Sequence, residues 1–324
     1  MQINITPEKV KLWSELGSRG AYGQAMMMLG EEREDVIAMT ADLSDATRIT
    51  QFRKKYPDRF FNIGIAEQNL VGVGAGMSMR GYTVFCTSFA AFISMRSCEQ
   101  VRTDVGYQKA NVKLIGADSG LVMGTLGNTH YALEDVGVIR SMPNLTILSP
   151  ADGVEIVKAT LAAAEFEGPV YIRLTGGKNN PVVYQKDYPF EIGKAVWLKR
   201  GKDMTMIAAG TMVYEAMQAA EILKEQGVDA GVLNMHTIKP LDEAAVKECM
   251  AIGPIVTVEE HSVLGGLGAA VCEVACEKGA VVHRIGIPDA YGPIGTYQEQ
   301  LARYGLKGKQ IAEKIQREYL GKEA

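Results

Sequence analysis

The sequence predicts an α/β protein built as two parallel-type, three-layer α/β domains. Short apolar runs alternate with helical periodicities along almost the whole chain. That alternation is the pattern of a parallel sheet covered by helices on both faces. The 324 residues suffice for two domains of ordinary size. The alternation breaks at Gly176-Gly177-Lys178-Asn179-Asn180-Pro181 and resumes after Tyr188, which divides the chain into residues 1–187 and 188–324.

Pro7 to Glu31 reads as helical, with Leu12, Leu16 and the run Ala25-Met26-Met27-Met28-Leu29 at helical spacings. The break at Gly17-Ser18-Arg19-Gly20 can aim Arg19 into a cleft. Val36–Thr40 is a strand with Ala41-Asp42-Leu43-Ser44 at its carboxyl end, and a helix follows from Thr47 to Lys55. A central strand begins at Phe60 and ends near Gly64, and a Gly/Ala-rich helix starts near Glu67. Gly72, Gly74 and Gly76 lie inside that helix, so they do not form a dinucleotide fingerprint and instead allow close helix packing. After the strand Tyr82–Cys86, Thr87-Ser88 can cap a helix carrying Phe89, Phe92 and Arg96 on one face. Val112–Gly116 is a strand that opens into a long loop from Asp118 to His130, with glycines at 120, 124 and 127. Loops of that length in a compact domain tend to be functional. Leu145–Leu148 and Val170–Arg173 are strands, and a helix starts at Ser149-Pro150-Ala151-Asp152 between them.

In the second domain, Lys194–Leu198, Met204–Ala209, Ala230–Leu233, Ile255–Val258 and Val281–Arg284 read as strands. Helices run from Met212 to Gln226, through Gly265-Gly266-Leu267-Gly268 to Lys278, and from Gln310 to Tyr319. The glycine run follows a strand and opens a helix, so it suits either an anion or a tight structural turn.

Charged residues make up 22% and hydrophobic ones 47% of the chain, as in soluble globular proteins. The net charge of -4 gives no electrostatic case for binding nucleic acid or an anionic membrane. No apolar run reaches bilayer length, and no secretory leader is expected at Met1-Gln2-Ile3-Asn4. Five cysteines fit neither a zinc site nor a disulfide framework, which points to reduced thiols in a cytoplasmic protein. Cys272 and Cys276 read as buried filler, one helical turn apart. Of the four histidines, His283 reads as structural and His261 as part of a solvated ion pair, while His236 is left open.

Two residues are candidates for chemistry. Glu67 sits at the carboxyl end of a strand, where open parallel sheets place their ligands. A carboxyl group among apolar neighbours there is costly unless something uses it. Its plain alternative is a helix-start acid that satisfies the helix dipole. His130 ends the long loop on the same sheet edge, which makes it a candidate for substrate chemistry.

The ordered set Ala41-Asp42-Leu43, Ile65-Ala66-Glu67-Gln68, Phe89-x-x-Phe92, Thr129-His130, Pro143-Asn144, Ser149-Pro150-Ala151-Asp152 and Tyr171-Ile172-Arg173 resembles the C-terminal half of transketolases. Val258-Glu259-Glu260-His261 and Gly265-Gly266-Leu267-Gly268 are similar to their C-terminal domain, so the resemblance spans almost the whole chain. Such enzymes bind thiamine diphosphate between two α/β domains. One grips the aminopyrimidine, and the other grips the diphosphate and a divalent metal through a Gly-Asp-Gly motif. No Gly-Asp-Gly occurs here.

The resemblance therefore implies one half of a split transketolase, with a pyrimidine-binding domain at 1–187 and a transketolase C-terminal domain at 188–324. An N-terminal-half subunit would supply the diphosphate domain and ligate Mg2+ or Ca2+, in an α2β2 heterotetramer. The implied reaction moves a two-carbon ketol unit from a ketose, a sugar phosphate, to an aldose. By the same resemblance Glu67 bonds N1′ of the pyrimidine, Phe89 and Phe92 stack on the ring, and Ile65 lines the pocket. Asp42 lies near the cofactor at the subunit junction, His130 bonds substrate oxygens, and Arg19 and Arg173 hold the tail. No metal ligand is expected in this chain.

The chain departs from the family at three places. Leu126 replaces a frequent acid, Ala117 and Asp118 stand where a histidine is frequent, and Met95 replaces an aromatic. These changes leave the sugar open. Two alternatives remain at this point: the β subunit of a 2-oxoacid dehydrogenase E1 component, and a non-catalytic binding subunit.

Overall fold

A computed structural model describes residues 3–319 and residue 321. Six strands of the first half pair in parallel: β1 (Val36–Thr40), β2 (Phe60–Asn62), β3 (Thr83–Phe89), β4 (Val112–Ala117), β5 (Thr146–Leu148) and β6 (Val170–Arg173). Their spatial order is β5-β6-β4-β3-β1-β2. Every residue of β1, β3, β4 and β6 is buried, which explains their continuous apolar runs. The second half adds β7 (Val196–Lys199), β8 (Met204–Ala208), β9 (Ala230–Asn234), β10 (Thr237–Lys239), β11 (Ile255–Ser262) and β12 (Val282–Ile287). Its sheet runs β12-β11-β8-β9-β7, parallel except for β7 against β9.

β10 leaves its own sheet and pairs antiparallel with β5, opposing Thr237 to Leu148. It thereby closes an edge of the first sheet, which would otherwise offer unpaired backbone groups. The sequence reading missed this three-residue strand, as well as the helices Glu243–Ile252 and Tyr297–Arg303.

Three expectations about the first sheet need correcting. β2 is an edge strand rather than a central one, and it ends at Asn62, with Phe61 and Asn62 exposed. β3 does not stop at Cys86; it runs through Phe89, so Thr87 and Ser88 are strand residues and not caps. Pairing to β1 on one side and β4 on the other extends it, and Phe92–Arg96 then forms a single wide π turn. Of the glycines in the Glu67–Ser78 helix, Gly74 faces that strand, while Gly72 faces Asp104 of the helical segment Val101–Tyr107. A Cβ added at Gly74 would lie 2.4 Å from Cys86 Sγ.

The Pro7–Glu32 helix is kinked at Gly17, where φ is 73°. A Cβ at Gly17 would sit 2.2 Å from the carbonyl oxygen of Gly177, so only glycine fits this turn. The kink carries Arg19 to the carboxyl end of the first sheet, where it meets Ala46 and Asp118. Cys272 is half-buried and Cys276 exposed, contrary to the expected filler role. No helix among the described residues is long and apolar enough to cross a membrane.

Candidate active site

Glu67 is the first residue of its helix and is 1% exposed. Its carboxylate accepts from Ser88 Oγ at Oε1 (3.1 Å) and from Arg96 Nη1 at Oε2 (2.7 Å). The acid does not stand among apolar neighbours alone, as the sequence suggested. It has a hydroxyl below it and a guanidinium above it, the charge-assisted arrangement a buried carboxylate requires. Ser88 reaches it because β3 extends past Cys86. Arg96 is on the exposed side, with 47% of its side chain open.

Phe89 and Phe92 form an edge-on pair with ring centroids 6.0 Å apart. His130 lies against both, 5.2 Å from Phe92 and 6.3 Å from Phe89. The Arg96 guanidinium lies over Phe92 at 4.2 Å from the ring centre. Glu67, Phe89, Phe92 and His130 thus share one corner, linked through Arg96. The loop that delivers His130 is held by a backbone bridge between Gly120 and Ala132 and by Glu260, whose Oε1 accepts from Leu121 N–H at 2.7 Å. His130 Nδ1 is 2.9 Å from Thr129 Oγ1.

Asp42 follows β1 with φ 60°, a left-handed conformation that Asp tolerates. Its N–H donates to Asn62 Oδ1, and its Oδ1 accepts from Asn62 Nδ2. Ile65 is 79% exposed, so within this chain it lines no pocket wall.

The two arginines expected at the substrate tail are both already paired. Arg19 Nη1 lies 3.1 Å from Asp118 Oδ2 and donates to the carbonyl of Ala46. Asp118 is 1% exposed, and neither of its oxygens has a well-aligned hydrogen bond. Burial pushes its carboxyl up to about 6 against the opposing pull of Arg19. Sequence reasoning noted Asp118 only as a departure from the family.

Arg173 is 3% exposed and spans the two halves of the chain. Nε donates to Asp135, while Nη2 donates to the carbonyls of Ala132 and Glu260. Its expected role as a free tail cation therefore needs correcting: its first task is to hold β6, the His130 loop and β11 together. Asp135 and Glu260 are residues whose roles here sequence reasoning missed, and His261 is one that it misread. They lie 38 to 139 residues from their partners, and no local pattern signals such pairs.

His261 is 1% exposed rather than solvated. Its Nε2 accepts from Gly137 N–H, and burial pushes it down to about 4. The glycine run before the Leu267–Cys276 helix does meet an anion, but an internal one. Glu259 accepts from Leu267 N–H (2.6 Å) and Gly268 N–H (2.8 Å). His236 is buried and stacked on Phe190, and His283 is stacked on Tyr319. A groove of about 900 Å³ lies elsewhere, between Lys158 and the 187–192 linker, and carries none of these residues.

The first α/β unit brings an acid, two aromatic rings and a histidine together at strand carboxyl ends, where open parallel sheets bind their ligands. Residues 14–180 match the transketolase pyrimidine binding domain, and residues 193–311 match the transketolase C-terminal domain. A subunit of the apulose-4-phosphate transketolase of Phocaeicola vulgatus is 40% identical over 90% of this chain and 94% of its own length. The 6-deoxy-6-sulfo-D-fructose transketolase subunit SqwH of Clostridium sp. strain MSTE9 is 38% identical over 94% of this chain and 95% of its own. A solved split-gene transketolase, an inactive beta4 tetramer, superposes with a TM-score of 0.85 at 39% identity, covering 95% of this chain and 99% of that one. The chain belongs to the transketolase family. It is a transferase subunit that corresponds to the C-terminal half of a split transketolase. These relatives favour that reading over a dehydrogenase β subunit.

Proposed function

We infer that this chain supplies the pyrimidine-binding half of an active site for ketol transfer, completed by a second subunit. Residues 1–187 carry that half, and residues 188–324 brace it. The second subunit contributes the diphosphate domain and the divalent metal, Mg2+ or Ca2+. Among the described residues no cluster of His, Cys, Asp or Glu is arranged to hold a metal. The assembly is an α2β2 heterotetramer of the cytoplasm. Support comes from the solved split-gene relative, whose beta chains alone form an inactive tetramer.

Thiamine diphosphate, when bound, supplies an electron sink for breaking and making a bond beside a carbonyl. The residues present fit its flat, nitrogen-bearing ring. Arg96 already places a planar N–H donor on Phe92 and against Glu67. Glu67 orients the ring and holds a proton at N1′. Phe89 and Phe92 form the wall on which it stacks, worth roughly 0.5–1.5 kcal/mol beyond the buried area. Ile65 and Asp42, both exposed here, become covered where the second subunit docks. His130 bonds the substrate oxygens at the reacting end. Arg19 lies toward the tail, with Arg173 behind it.

The donor is a ketose phosphate in this reading. The named substrates of the relatives, a sulfo-sugar and a sugar phosphate, also carry anionic tails. One observation carries the proposal: a single planar group, the Arg96 guanidinium, reaches both the buried Glu67 carboxylate and the Phe92 ring. The test is co-expression with a diphosphate-domain subunit and assay of ketose phosphates against pyruvate. Ketose turnover by the pair, and by neither subunit alone, supports the proposal. Turnover of pyruvate only would restore the dehydrogenase reading.

A further inference from the structure

We propose that Arg96 is a placeholder for the cofactor's ring: it keeps Glu67 and Phe92 in position and must be displaced for the pyrimidine to bind. This rests on reading Glu67 and Phe92 as the pyrimidine site.

Arg96 touches two groups. Its Nη1 donates to Glu67 Oε2 at 2.7 Å, and its guanidinium lies 4.2 Å from the centre of Phe92. Among the described residues Arg96 has no other polar partner. A flat group that donates N–H to the acid and rests a face on the ring is making both contacts expected of an aminopyrimidine. The guanidinium and the pyrimidine therefore compete for one place.

The backbone is arranged for this. Phe92–Arg96 is a π turn, closed by Ser97 N–H on the carbonyl of Phe92. Residues 92 and 96 are four apart along the turn and therefore neighbours, so the guanidinium falls over the ring. Such turns occur often at functional sites. The two partners differ in freedom. Glu67 is 1% exposed and anchored from behind by Ser88, whereas the Arg96 side chain is 47% exposed. Displacement can thus move the arginine outward and leave the acid in place. A buried carboxylate without a partner is costly, so the arginine satisfies Glu67 for as long as the ring is away.

The test uses the co-expressed two-subunit complex and thiamine diphosphate with Mg2+ as the probe, read by calorimetry and by association rate. Arg96→Met should bind the cofactor on the order of tenfold more tightly, the scale of one charge-assisted hydrogen bond. It should also bind faster, because no side chain has to leave. Arg96→Lys keeps the charge but loses the planar stack, and should fall between the two. Thermal unfolding of each variant checks that the fold is intact. Unchanged or weaker binding by a folded Arg96→Met complex overturns the proposal. Glu67→Gln separates the two levels of the argument. If Glu67→Gln weakens cofactor binding while Arg96→Met leaves it unchanged, only the placeholder role falls. If Glu67→Gln has no effect on binding, the reading of the pyrimidine site falls with it.

Discussion

The carboxylate of Glu260, on the second sheet, accepts a hydrogen bond from the backbone N–H of Leu121 at 2.7 Å, across 139 residues of sequence. The same side chain accepts from Thr211 Oγ1 and Tyr297 Oη. It ties the loop that ends in His130 to the second half of the chain. That explains mechanically why the C-terminal domain belongs with the site although it contributes no residue to the Glu67 corner.

Glu260→Ala should leave Leu121 N–H and one of the Thr211 and Tyr297 hydroxyls, which can still bond each other, without an acceptor, and destabilise the protein by about 2 kcal/mol or more. Denaturant unfolding measures this. Gly120→Ala attacks the same junction from the other side. Its Cβ would meet Glu260 Oε1 at 2.3 Å, at a residue whose φ is 71°. Both variants should raise KM for substrate before they alter assembly with the partner subunit. A wild-type KM in a folded Glu260→Ala complex would show that the loop does not depend on this tether.

Phe92→Ala should weaken cofactor binding by at least about threefold, from the stacking contribution alone. Calorimetry on the complex gives the value. Phe92 also touches His130, so KM for the sugar should rise in parallel.

If Arg19 holds the substrate tail as proposed, its pairing with Asp118 should set how strongly it does so. Arg19→Ala should raise KM for a ketose phosphate on the order of tenfold with little change in kcat, the loss of uniform binding. Asp118→Asn removes the acid that neutralises Arg19 and should lower that KM. Steady-state kinetics on both variants check the pair of effects, and matching directions in the two would contradict it.

Acid sensitivity should trace partly to His261. In the unfolded chain this imidazole protonates near 6.5, but in the fold burial holds it down to about 4. As pH falls below 6.5, the unfolded state takes up a proton that the folded state refuses. Stability is therefore lost across that window, and the loss is complete below about 4. Asp135, Arg173 and Glu259 face the same ring. Unfolding free energies of His261→Gln and wild type, compared at pH 7 and pH 5, isolate the histidine. The variant should show the shallower fall.

The sequence showed more of the first sheet than of the contacts that lock it. Glu67 and His130 were legible because strand carboxyl ends can be located from apolar runs and loop length, whereas Phe89 and Phe92 entered the candidate site only through the family resemblance. Ser88 was misread as a cap because a Thr-Ser pair before helical spacing looks like one. Only the neighbours β1 and β4 keep it extended. Arg96 was placed on the face it shares with Phe92, but its pairing with Glu67 joins two segments 29 residues apart, which no local pattern announces. Arg173 was expected to face a ligand because Tyr171-Ile172-Arg173 resembles the family motif; Asp135, which takes its charge, comes from a separate helix. β10 escaped notice because three residues that pair with the other half's sheet carry no periodicity.

The central claim is that Glu67 serves the cofactor's pyrimidine in a site shared with another subunit. Turnover of a ketose phosphate by the reconstituted pair, wild type against Glu67→Gln at saturating cofactor, tests it most directly. The account predicts a loss on the order of a hundredfold or more with assembly and thermal stability retained. Turnover within a few-fold of wild type would contradict it.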